Sequence, residues 1–399
     1  MKQRGENQST LKERNQFLIL NCLKEGPRSC SDLARMTDLS YTGVTTLVED
    51  LADKGVVIKE DAEVVSLGRR PILIKLAPKS RVVAVINLAG EDVLEIYGLA
   101  GNLLHSHVFS FGNVISRENL CELAEYLRTI LASELAGSNL EAICIAAPGK
   151  IDKNNGAFVF APFIEDYKEV NLVRMFGDRF GVPVTVKNNI RFQLLAEKAY
   201  GRYRDKICDT LFIQLGGQGF GSALFLNNKL YEGANGLNGE IGLFVTDYRL
   251  GILAHANASQ SRYFQQQVSN AAFIAAAKQA LAQGERSCLE SVPEITAQEL
   301  ARGYLADDRL CCEILDESAR ITADVLRSLS EILDFSNVII SRETMIYGQK
   351  YIDKLSDYLN GQLISYHIDC YMSTFDKSGI LLGAKEYAIN SAIRRISQG

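Results

Sequence analysis

The chain has 399 residues, of which 47% are apolar and 23% are charged, and its net charge is −5. This length predicts two or three domains, and the composition is typical of a protein with a sizeable core. The acidic balance excludes a protein that coats nucleic acid, and the lack of a run of about 18 apolar residues excludes a membrane-spanning helix. The first thirty residues lack the pattern of a secretory signal, so we expect a cytoplasmic protein.

Charged residues are unevenly spread along the chain, and the cysteines are scattered. Residues 1–80 hold 13 Lys and Arg against 11 Asp and Glu, whereas the remainder holds 30 against 37. A weakly basic head on an acidic body fits a small DNA-binding module joined to a domain that does not touch DNA. The nine cysteines form no C-x-x-C pair, which favours buried, reduced thiols over disulfides or a metal site.

The first eighty residues contain three predicted helices. Apolar periodicity over residues 11–24 predicts the first. Ser29 precedes Asp32 by three residues, a capping pattern that predicts the start of a short second helix. Ser40 is expected to cap the third helix, whose buried face is predicted to comprise Val44, Leu47, Val48 and Leu51.

Two apolar runs after the third helix predict a β-hairpin. They are residues 56–58 and residues 72–74, and the segment Gly-Arg-Arg-Pro at 68–71 lies within the hairpin or at its base. The order helix, helix, turn, helix and two-stranded wing is that of a winged helix-turn-helix. Pro78 marks a boundary, so residues 1–78 are predicted to form a DNA-binding domain.

Two groups of side chains in the head are candidates for contact with DNA. The start of the third helix offers polar side chains to base edges and phosphates, namely Ser40, Tyr41, Thr42, Thr45 and Thr46. Arg69 and Arg70 are candidates for an A·T-rich minor groove. The alternative is a small helical bundle with solvated threonines and an exposed basic turn, which would account for the same residues without contact to DNA. The position of the arginines directly after the helix-turn-helix favours DNA binding.

Beyond residue 78, strands and helices alternate, which predicts an α/β body of two lobes. The first lobe is expected to span residue 79 to about residue 200 together with the C-terminal helix, and the second to span about 201–380. The predicted strands are 82–88, 93–99, 142–146 and 338–340, and the predicted helical regions are 119–135, 262–335 and 378–396.

Two glycine-rich segments of the second lobe are candidate ligand loops. In the first, Gly217, Gly219 and Gly221 alternate with other residues, so their backbone N–H groups can cradle a phosphate, although a tight strand turn gives the same pattern. The second, residues 229–242, carries more glycine than we expect packing to need. Its central carboxylate, Glu240, is either an acceptor for sugar hydroxyls or an exposed turn carboxylate.

These segments resemble the ROK family of repressors, open reading frames and kinases nearly end to end. The head is similar to the repressor branch in GPRSCSDLARMTDLSYTGVTTLVEDLADKGVV and SLGRRPILIKL. The body is similar to the family sensor in APGKIDKNNGAFVFAP, GFGSALFLNNKLYEGANGLNGEIG and GILLGAKEYA. The resemblance implies a two-lobed, actin-like and hexokinase-like (ribonuclease H-like) domain over residues 79–399. It also implies a transcription regulator, more often a repressor, of carbohydrate genes.

The chain departs from the family's kinase pattern where phosphoryl transfer takes place. The catalytic base of the family is the Asp of an Asn-Asp pair, and the matching pair here is Asn188 and Asn189. An amide cannot take the proton of a substrate hydroxyl, so the resemblance implies an inactive kinase domain. The first phosphate loop of the family corresponds to residues 87–91, followed by Asp92. We expect Glu91 and Asp92 to repel phosphate there.

Two other nucleotide-facing segments of the family are also altered. The second phosphate loop reads Gly217-Gln218-Gly219 where the family has Gly-Thr-Gly. Residues 341–343, Ser-Arg-Glu, replace a Gly-Gly turn near the nucleotide. We expect these side chains to fill the adenosine space.

The metal and effector ligands of the family are only partly present. Leu243 replaces the zinc-binding His, no cysteine lies between Cys208 and Cys288, and His255 alone cannot build a closed site, so we expect neither structural zinc nor a cofactor. The resemblance leaves four candidate effector ligands, Phe163, Asn188, Asn189 and Glu240. This set implies a sugar or sugar derivative of altered specificity, or a ligand that is not a sugar.

Three functions fit this sequence. The first is a homodimeric or homotetrameric regulator that binds an inverted-repeat operator and a small-molecule effector, with no membrane partner. The second is an active sugar kinase with an added head. The third is a ligand-blind dimeric repressor. Asn189, where a kinase needs Asp, favours the first hypothesis over the second.

Overall fold

In the computed structural model the chain divides into two compact units, residues 1–192 with 381–399 and residues 193–380. The structure describes residues 8–61, 72–215, 220–246, 263–361, 363 and 365–398. Within these ranges, no helix has the length and apolar character needed to cross a membrane.

The head of the first unit is a winged helix-turn-helix, as predicted. It comprises α1 (Gln8–Lys24), β1 (Arg28–Ser29), α2 (Cys30–Thr37), α3 (Tyr41–Asp53), β2 (Val57–Asp61) and β3 (Ile72–Leu76). The strands form an antiparallel sheet in the order β1-β3-β2. The hydroxyl oxygens of Ser29 and Ser40 each accept a backbone N–H at 3.1 Å, which confirms both predicted caps. The predicted apolar face of α3 is buried within the head, where α3 packs against α1, α2 and β2.

The body of the first unit is a five-stranded sheet in the order β10-β7-β4-β5-β6. Its strands are β4 (Arg81–Asn87), β5 (Asp92–Gly98), β6 (Leu103–Phe109), β7 (Asn139–Ala147) and β10 (Val184–Asn188). The other elements are α4 (Arg117–Ala132), α5 (Leu172–Phe180), α6 (Asn189–Tyr200) and a hairpin of β8 (Lys150–Ile151) and β9 (Phe158–Phe160). Strands β4 and β7 are almost wholly buried, as expected of inner strands with continuous apolar sequences.

The second unit repeats this sheet arrangement. Its order is β13-β12-β11-β14-β15, with β11 antiparallel to β12 and parallel to β14, just as β4 is antiparallel to β5 and parallel to β7. The strands are β11 (Thr210–Gln214), β12 (Gly221–Leu226), β13 (Lys229–Leu230), β14 (Asn337–Ile340) and β15 (Asp369–Met372). Each unit thus has its own five-stranded sheet, and the two sheets share one strand arrangement. This duplication is typical of an actin-like fold of two lobes.

Helices supply most of the core of the second unit. They are α7 (Phe264–Gln267), α8 (Asn270–Ala282), α9 (Ala297–Leu305), α10 (Arg309–Leu333) and α11 (Gly348–Asn360). Short 3₁₀ segments occupy Arg204–Lys206, Ile241–Leu243, Cys288–Ser291 and Arg342–Tyr347. The chain ends in α12 (Ser378–Gln398). The two boundaries between the units fall within α6 and within α12.

Asp308 caps α10 and is ionised at neutral pH. Its carboxylate accepts hydrogen bonds from the hydroxyl of Ser287 at 2.8 Å and from the backbone N–H groups of Cys288 at 2.8 Å and Cys311 at 3.0 Å. Burial raises the pKa of this carboxyl group, but these hydrogen bonds outweigh burial and lower the pKa to about 2.

The head contacts the end of the chain within the first unit. The ammonium group of Lys24, at the end of α1, lies 2.6 Å from the carboxylate of Glu386 and 3.0 Å from the amide oxygen of Asn390, both in α12. Arg81, at the start of β4, donates to the carbonyl oxygen of Lys54 at 2.8 Å. The predicted head therefore packs into the first unit rather than standing apart from it.

The prediction that the cysteines are buried is wrong for most of them. All nine are free thiols, but only Cys144 and Cys311 are buried, whereas Cys121, Cys208 and Cys288 are exposed. Free cysteine is on average among the most buried residue types, but its small side chain also fits a surface loop or helix. Scattered positions along a sequence therefore do not indicate burial.

Replacing Gly383 by alanine is expected to destabilise the first unit. A Cβ atom at Gly383 in α12 would lie 1.8 Å from the carbonyl oxygen of Phe192 in α6. Backbone atoms cannot swing aside, so we expect Gly383→Ala to cost about 1–3 kcal/mol of unfolding free energy in urea titrations. Gly177, inside α5, has only ordinary contacts at 3.9 Å and beyond. The control Gly177→Ala should stabilise by about 0.5–1 kcal/mol. Equal effects of the two changes would contradict the close approach.

Candidate functional site

Helix α3 presents a polar face from its first two turns. Tyr41 is 58% exposed, and Thr42 and Thr46 are exposed, whereas Thr45 is half-buried. The hydroxyl groups of Thr45 and Thr46 donate to the carbonyl oxygen of Thr42 at 2.9 and 3.0 Å. Their lone pairs still allow them to accept hydrogen bonds from base amino groups. Ser40 is exposed, but its hydroxyl oxygen caps α3.

An internal contact fixes the orientation of α3. The carboxylate of Asp50 accepts a hydrogen bond at 2.5 Å from the amide of Gln16, which is buried in α1, and lies 3.3 Å from the ammonium group of Lys12. Burial raises the pKa of Asp50, but the hydrogen bonds from Lys12 and Gln16 outweigh burial and lower it. The orientation of α3 is thus held by a charged contact to α1, one turn beyond Thr46.

The predicted arginine contacts lie outside the described residues. Arg69 and Arg70 fall in the segment between β2 and β3, and the last described pair of that hairpin is Asp61 opposite Ile72. The antiparallel ladder confirms the predicted hairpin. Strand β1, which completes the sheet, was not predicted, because two residues after Gly26 and Pro27 carry no periodicity that could reveal a strand.

Asn188 and Asn189 lie at the carboxyl end of β10, where α/β sheets commonly bind ligands. The amide nitrogen of Asn188 donates to the carbonyl oxygen of Gly149 at 2.8 Å, and its amide oxygen accepts the backbone N–H of Ile190 at 3.0 Å. Gly149 follows β7, which is parallel to β10. Asn188 therefore joins two strand ends, and half-exposed Asn189 begins α6 beside them.

Phe163 is anchored in the core of the first unit. Its half-buried ring packs against the apolar cluster between the sheet and α4, and its carbonyl oxygen accepts the backbone N–H of Ile115 at 2.8 Å. Phe163 belongs to the same unit as Asn188 and Asn189, whereas Glu240 belongs to the second unit.

Glu240 lies in a loop that is tied to β12. The hydroxyl of Ser222 donates to the carbonyl oxygen of Gly239 at 2.7 Å, immediately before Glu240. The expectation that this loop has more glycine than packing needs is wrong for two positions. A Cβ atom at Gly239, whose φ is +94°, would lie 2.4 Å from the carbonyl oxygen of Ser222, and one at Gly242 would lie 2.7 Å from the side chain of Gln265. The glycines therefore bring half-buried Glu240 close to the sheet.

The first phosphate loop of the family is altered here, though not as predicted. Asn87 ends β4, and its amide oxygen accepts the backbone N–H of Ala89 at 3.0 Å. Glu91 is exposed in the turn, but Asp92 is the buried first residue of β5. Burial raises the pKa of Asp92 above its usual value, and a hydrogen bond from the backbone of Phe111 offsets only part of this rise. The predicted pair of phosphate-repelling carboxylates is therefore reduced to Glu91.

The second phosphate loop falls mostly outside the described residues. Gly217 and Gly219 are not described, and Gly221 is the first residue of β12. The segment that precedes this loop is braced by the 3₁₀ turn after β14. Thr344 donates to the carbonyl oxygen of Leu215 at 2.8 Å, and the amide of Gln214 contacts the carboxylate of Glu343. An acidic side chain thus lies beside the strand end that leads into this loop.

The family's zinc site does not fit this chain. Leu243, at the position of the family's His, has no donor atom and is 38% exposed at the end of a 3₁₀ segment. No cysteine lies between Cys208 and Cys288. His255 lies outside the described residues.

Comparison with known proteins agrees with this architecture. The model of the ROK family matches residues 96–390. The chain is 23% identical over 400 residues to the xylose repressor of Caldicellulosiruptor bescii, covering 97% of this chain and 98% of the relative. A crystal structure of a ROK family transcriptional regulator, described as a homolog of the E. coli MLC protein, matches with a TM-score of 0.79 at 19% identity and covers 97% of this chain and 99% of that one.

A second solved structure covers a smaller share of this chain. It is a ROK family glucokinase from Streptomyces griseus in complex with glucose and AMPPNP, with a TM-score of 0.56, 22% identity and coverage of 77% of this chain and 99% of that one. The fifth of the chain that separates the two coverages corresponds in size to residues 1–78. The fold is a winged helix-turn-helix followed by an actin-like pair of lobes, which confirms the predicted fold class. The chain belongs to the ROK family.

Proposed function

We propose that this protein is a DNA-binding transcription regulator of carbohydrate genes, a repressor, whose ROK domain binds a small molecule and does not phosphorylate it. The observation that carries the proposal is the exposed polar face of α3, with Tyr41, Thr42 and Thr46, on a helix that Asp50 ties to α1. A helix held in this way can enter a major groove without losing its orientation.

The proposed effector class follows from the chemistry of the candidate ligands in each unit. Amide groups such as that of Asn189 and a carboxylate such as that of Glu240 suit neighbouring hydroxyl groups, because both accept and orient O–H donors. An aromatic ring such as that of Phe163 suits the apolar face of a pyranose. The named function of the xylose repressor supports a sugar or a sugar derivative as the effector.

Lack of kinase activity is part of the proposal. Asn189 replaces the family's base, and Glu91 and Glu343 place negative charge at segments that hold phosphate in the kinases. The predicted division into a head (1–78) and a sensor (79–399) remains our proposal for the functional domains. We also propose a homodimer or homotetramer, since an inverted-repeat operator pairs with a two-fold symmetric protein.

The test is operator selection from random DNA, followed by titration across salt concentration. We expect an inverted repeat with half-site centres one or two helical turns apart and an affinity that falls steeply with salt. A thermal-shift screen of sugars, amino sugars and their phosphates should find a ligand that raises Tm and changes operator affinity. Lack of any salt-sensitive DNA binding would refute the regulator assignment. DNA binding with no effector in a complete screen would favour a ligand-blind repressor.

Arg69 and Arg70 are tested in the same titrations. If they enter a minor groove, alanine at both positions should weaken binding most at operators with A·T-rich flanks. If they contact phosphates alone, the loss should be uniform and the salt slope should fall by about one for each arginine. An unchanged affinity in the double variant would show that the hairpin does not contact DNA.

A further inference from the structure

Two cysteine thiols and a carboxylate converge in the second unit, and none of them is among the candidate DNA, effector or phosphate-loop residues. They belong to Cys288, at the start of the 3₁₀ segment Cys288–Ser291, and to Asp308 and Cys311, at the start of α10. Their two Sγ atoms and a carboxylate oxygen lie within 4.8 Å of one another. Within the described part of the chain, no other group of three such donors is this compact.

Gly303 in α9 provides the space for the two sulfur atoms. A Cβ atom on Gly303 would lie 2.4 Å from the Sγ of Cys311 and 3.0 Å from the Sγ of Cys288. Both sulfurs therefore lie against the α9 backbone at Gly303, in the space that the side chain of any other residue would occupy. This arrangement brings together two segments that are separated by twenty residues of sequence.

The carboxylate is already oriented by its neighbours. It accepts hydrogen bonds from the hydroxyl of Ser287 and from two backbone N–H groups, all of them neutral donors. The thiol of Cys311 also hydrogen-bonds to this carboxylate, so a cation that displaces the thiol proton would find both ligand atoms already in contact. Ligating carboxylates in metal sites are held by outer hydrogen bonds in this way.

We propose that Cys288, Asp308 and Cys311 form an open binding site for a thiophilic divalent cation of the zinc class. Two thiolates and one carboxylate are zinc ligands, and three protein ligands with a water molecule complete a tetrahedron. Donor atoms about 2.0–2.3 Å from zinc are about 3.5 Å apart. Because the three donors now lie within 4.8 Å of one another, binding requires them to move closer together by about 1 Å.

The site differs from the family's zinc motif in sequence position and in ligands. No sequence pattern indicates the site, because residues 288, 308 and 311 show no metal-ligand spacing and Gly303 reveals its role only in three dimensions. The proposed site departs from the expectation of no zinc, which was drawn from the family motif and from the lack of C-x-x-C pairs. When bound, the cation would join the segment after α8 to the start of α10. It would stabilise the second unit by an amount that rises with the logarithm of its free concentration above Kd.

The experiment is a titration of the full-length, fully reduced protein with Co²⁺, which reports thiolate coordination by charge-transfer absorption in the near ultraviolet. We expect one Co²⁺ per chain, displacement by Zn²⁺, and a Tm that rises with added Zn²⁺. Cys288→Ser should abolish the absorption and weaken Zn²⁺ binding by at least about 100-fold. Asp308→Asn should weaken binding by about 10- to 100-fold while preserving the helix cap, because asparagine caps as well as aspartate does.

Cys208→Ser is the matched control, since Cys208 is also an exposed cysteine of the second unit. It should leave the absorption, the stoichiometry and the affinity unchanged. Absence of thiolate absorption in the reduced wild-type protein would overturn the proposal, and so would its persistence in Cys288→Ser. If the reduced protein fails to bind Co²⁺ but dilute peroxide joins Cys288 to Cys311, the pair is a redox couple and the metal site is refuted.

Discussion

Alanine at Tyr41 and Thr42 should abolish most of the sequence preference of this protein for its operator. Both side chains are exposed on the first turn of α3, the end of a recognition helix that approaches base edges. A good contact to a base is worth about 1–3 kcal/mol. Each replacement should therefore weaken specific binding by about tenfold to a hundredfold, measured by fluorescence anisotropy on the selected operator. Binding to random DNA should change little, because phosphate contacts supply it.

The matched control for α3 is Thr129→Ala. Thr129 is an exposed threonine in α4 whose hydroxyl group donates to a carbonyl oxygen four residues earlier, as that of Thr46 does. The control therefore repeats the chemical change on a helix that we do not expect to meet DNA. A loss that is equal on every base substitution of the operator would contradict base reading by α3. It would leave α3 as a phosphate contact only.

Purified protein should show no ATP-dependent phosphorylation of any hexose, whereas protein kinases turn over at about 1–100 per second. Asn189→Asp should not restore activity. The new carboxylate would supply a base at the start of α6, but exposed Glu91 and the Glu343 carboxylate beside Gln214 would still oppose phosphate. A coupled assay for ADP measures both proteins, and circular dichroism checks that the variant is folded.

Two results of that assay would change the conclusion. Turnover on the order of 1 per second in the wild-type protein would make it an active kinase with a DNA-binding head. Recovery of such turnover in Asn189→Asp alone would show that only the base is missing and that the phosphate loops still function. In that case, the nucleotide-facing departures would have no catalytic consequence.

Much of the fold was predictable from local sequence patterns. The helix caps at Ser29 and Ser40 and the apolar face of α3 depend on neighbours within a few residues, so sequence spacing reveals them. The buried strands β4 and β7 carry continuous apolar runs that few other elements show. Strand β1 was missed because its two residues pair with β3, more than forty positions away.

The candidate sites were less predictable because they depend on contacts between distant segments. Asp92 was expected to face phosphate, but it is buried as the first residue of β5, and only the packed structure shows this. The role of Asn188 as a bridge to Gly149 requires knowing that β7 and β10 are neighbours. The convergence of Cys288 with Cys311 requires the position of Gly303 on α9.

The contact between Lys24 and Glu386 joins residues that are 362 positions apart. A ribosome adding about 5–20 residues per second needs roughly 20–70 s to synthesise the chain between them. The head is thus made well before its partner on α12. A nonsense mutation between codons 378 and 386 would leave a complete head in which Lys24 lacks both of its partners on α12. Such an allele should separate DNA binding from its control, although the lesion lies far from the head in sequence.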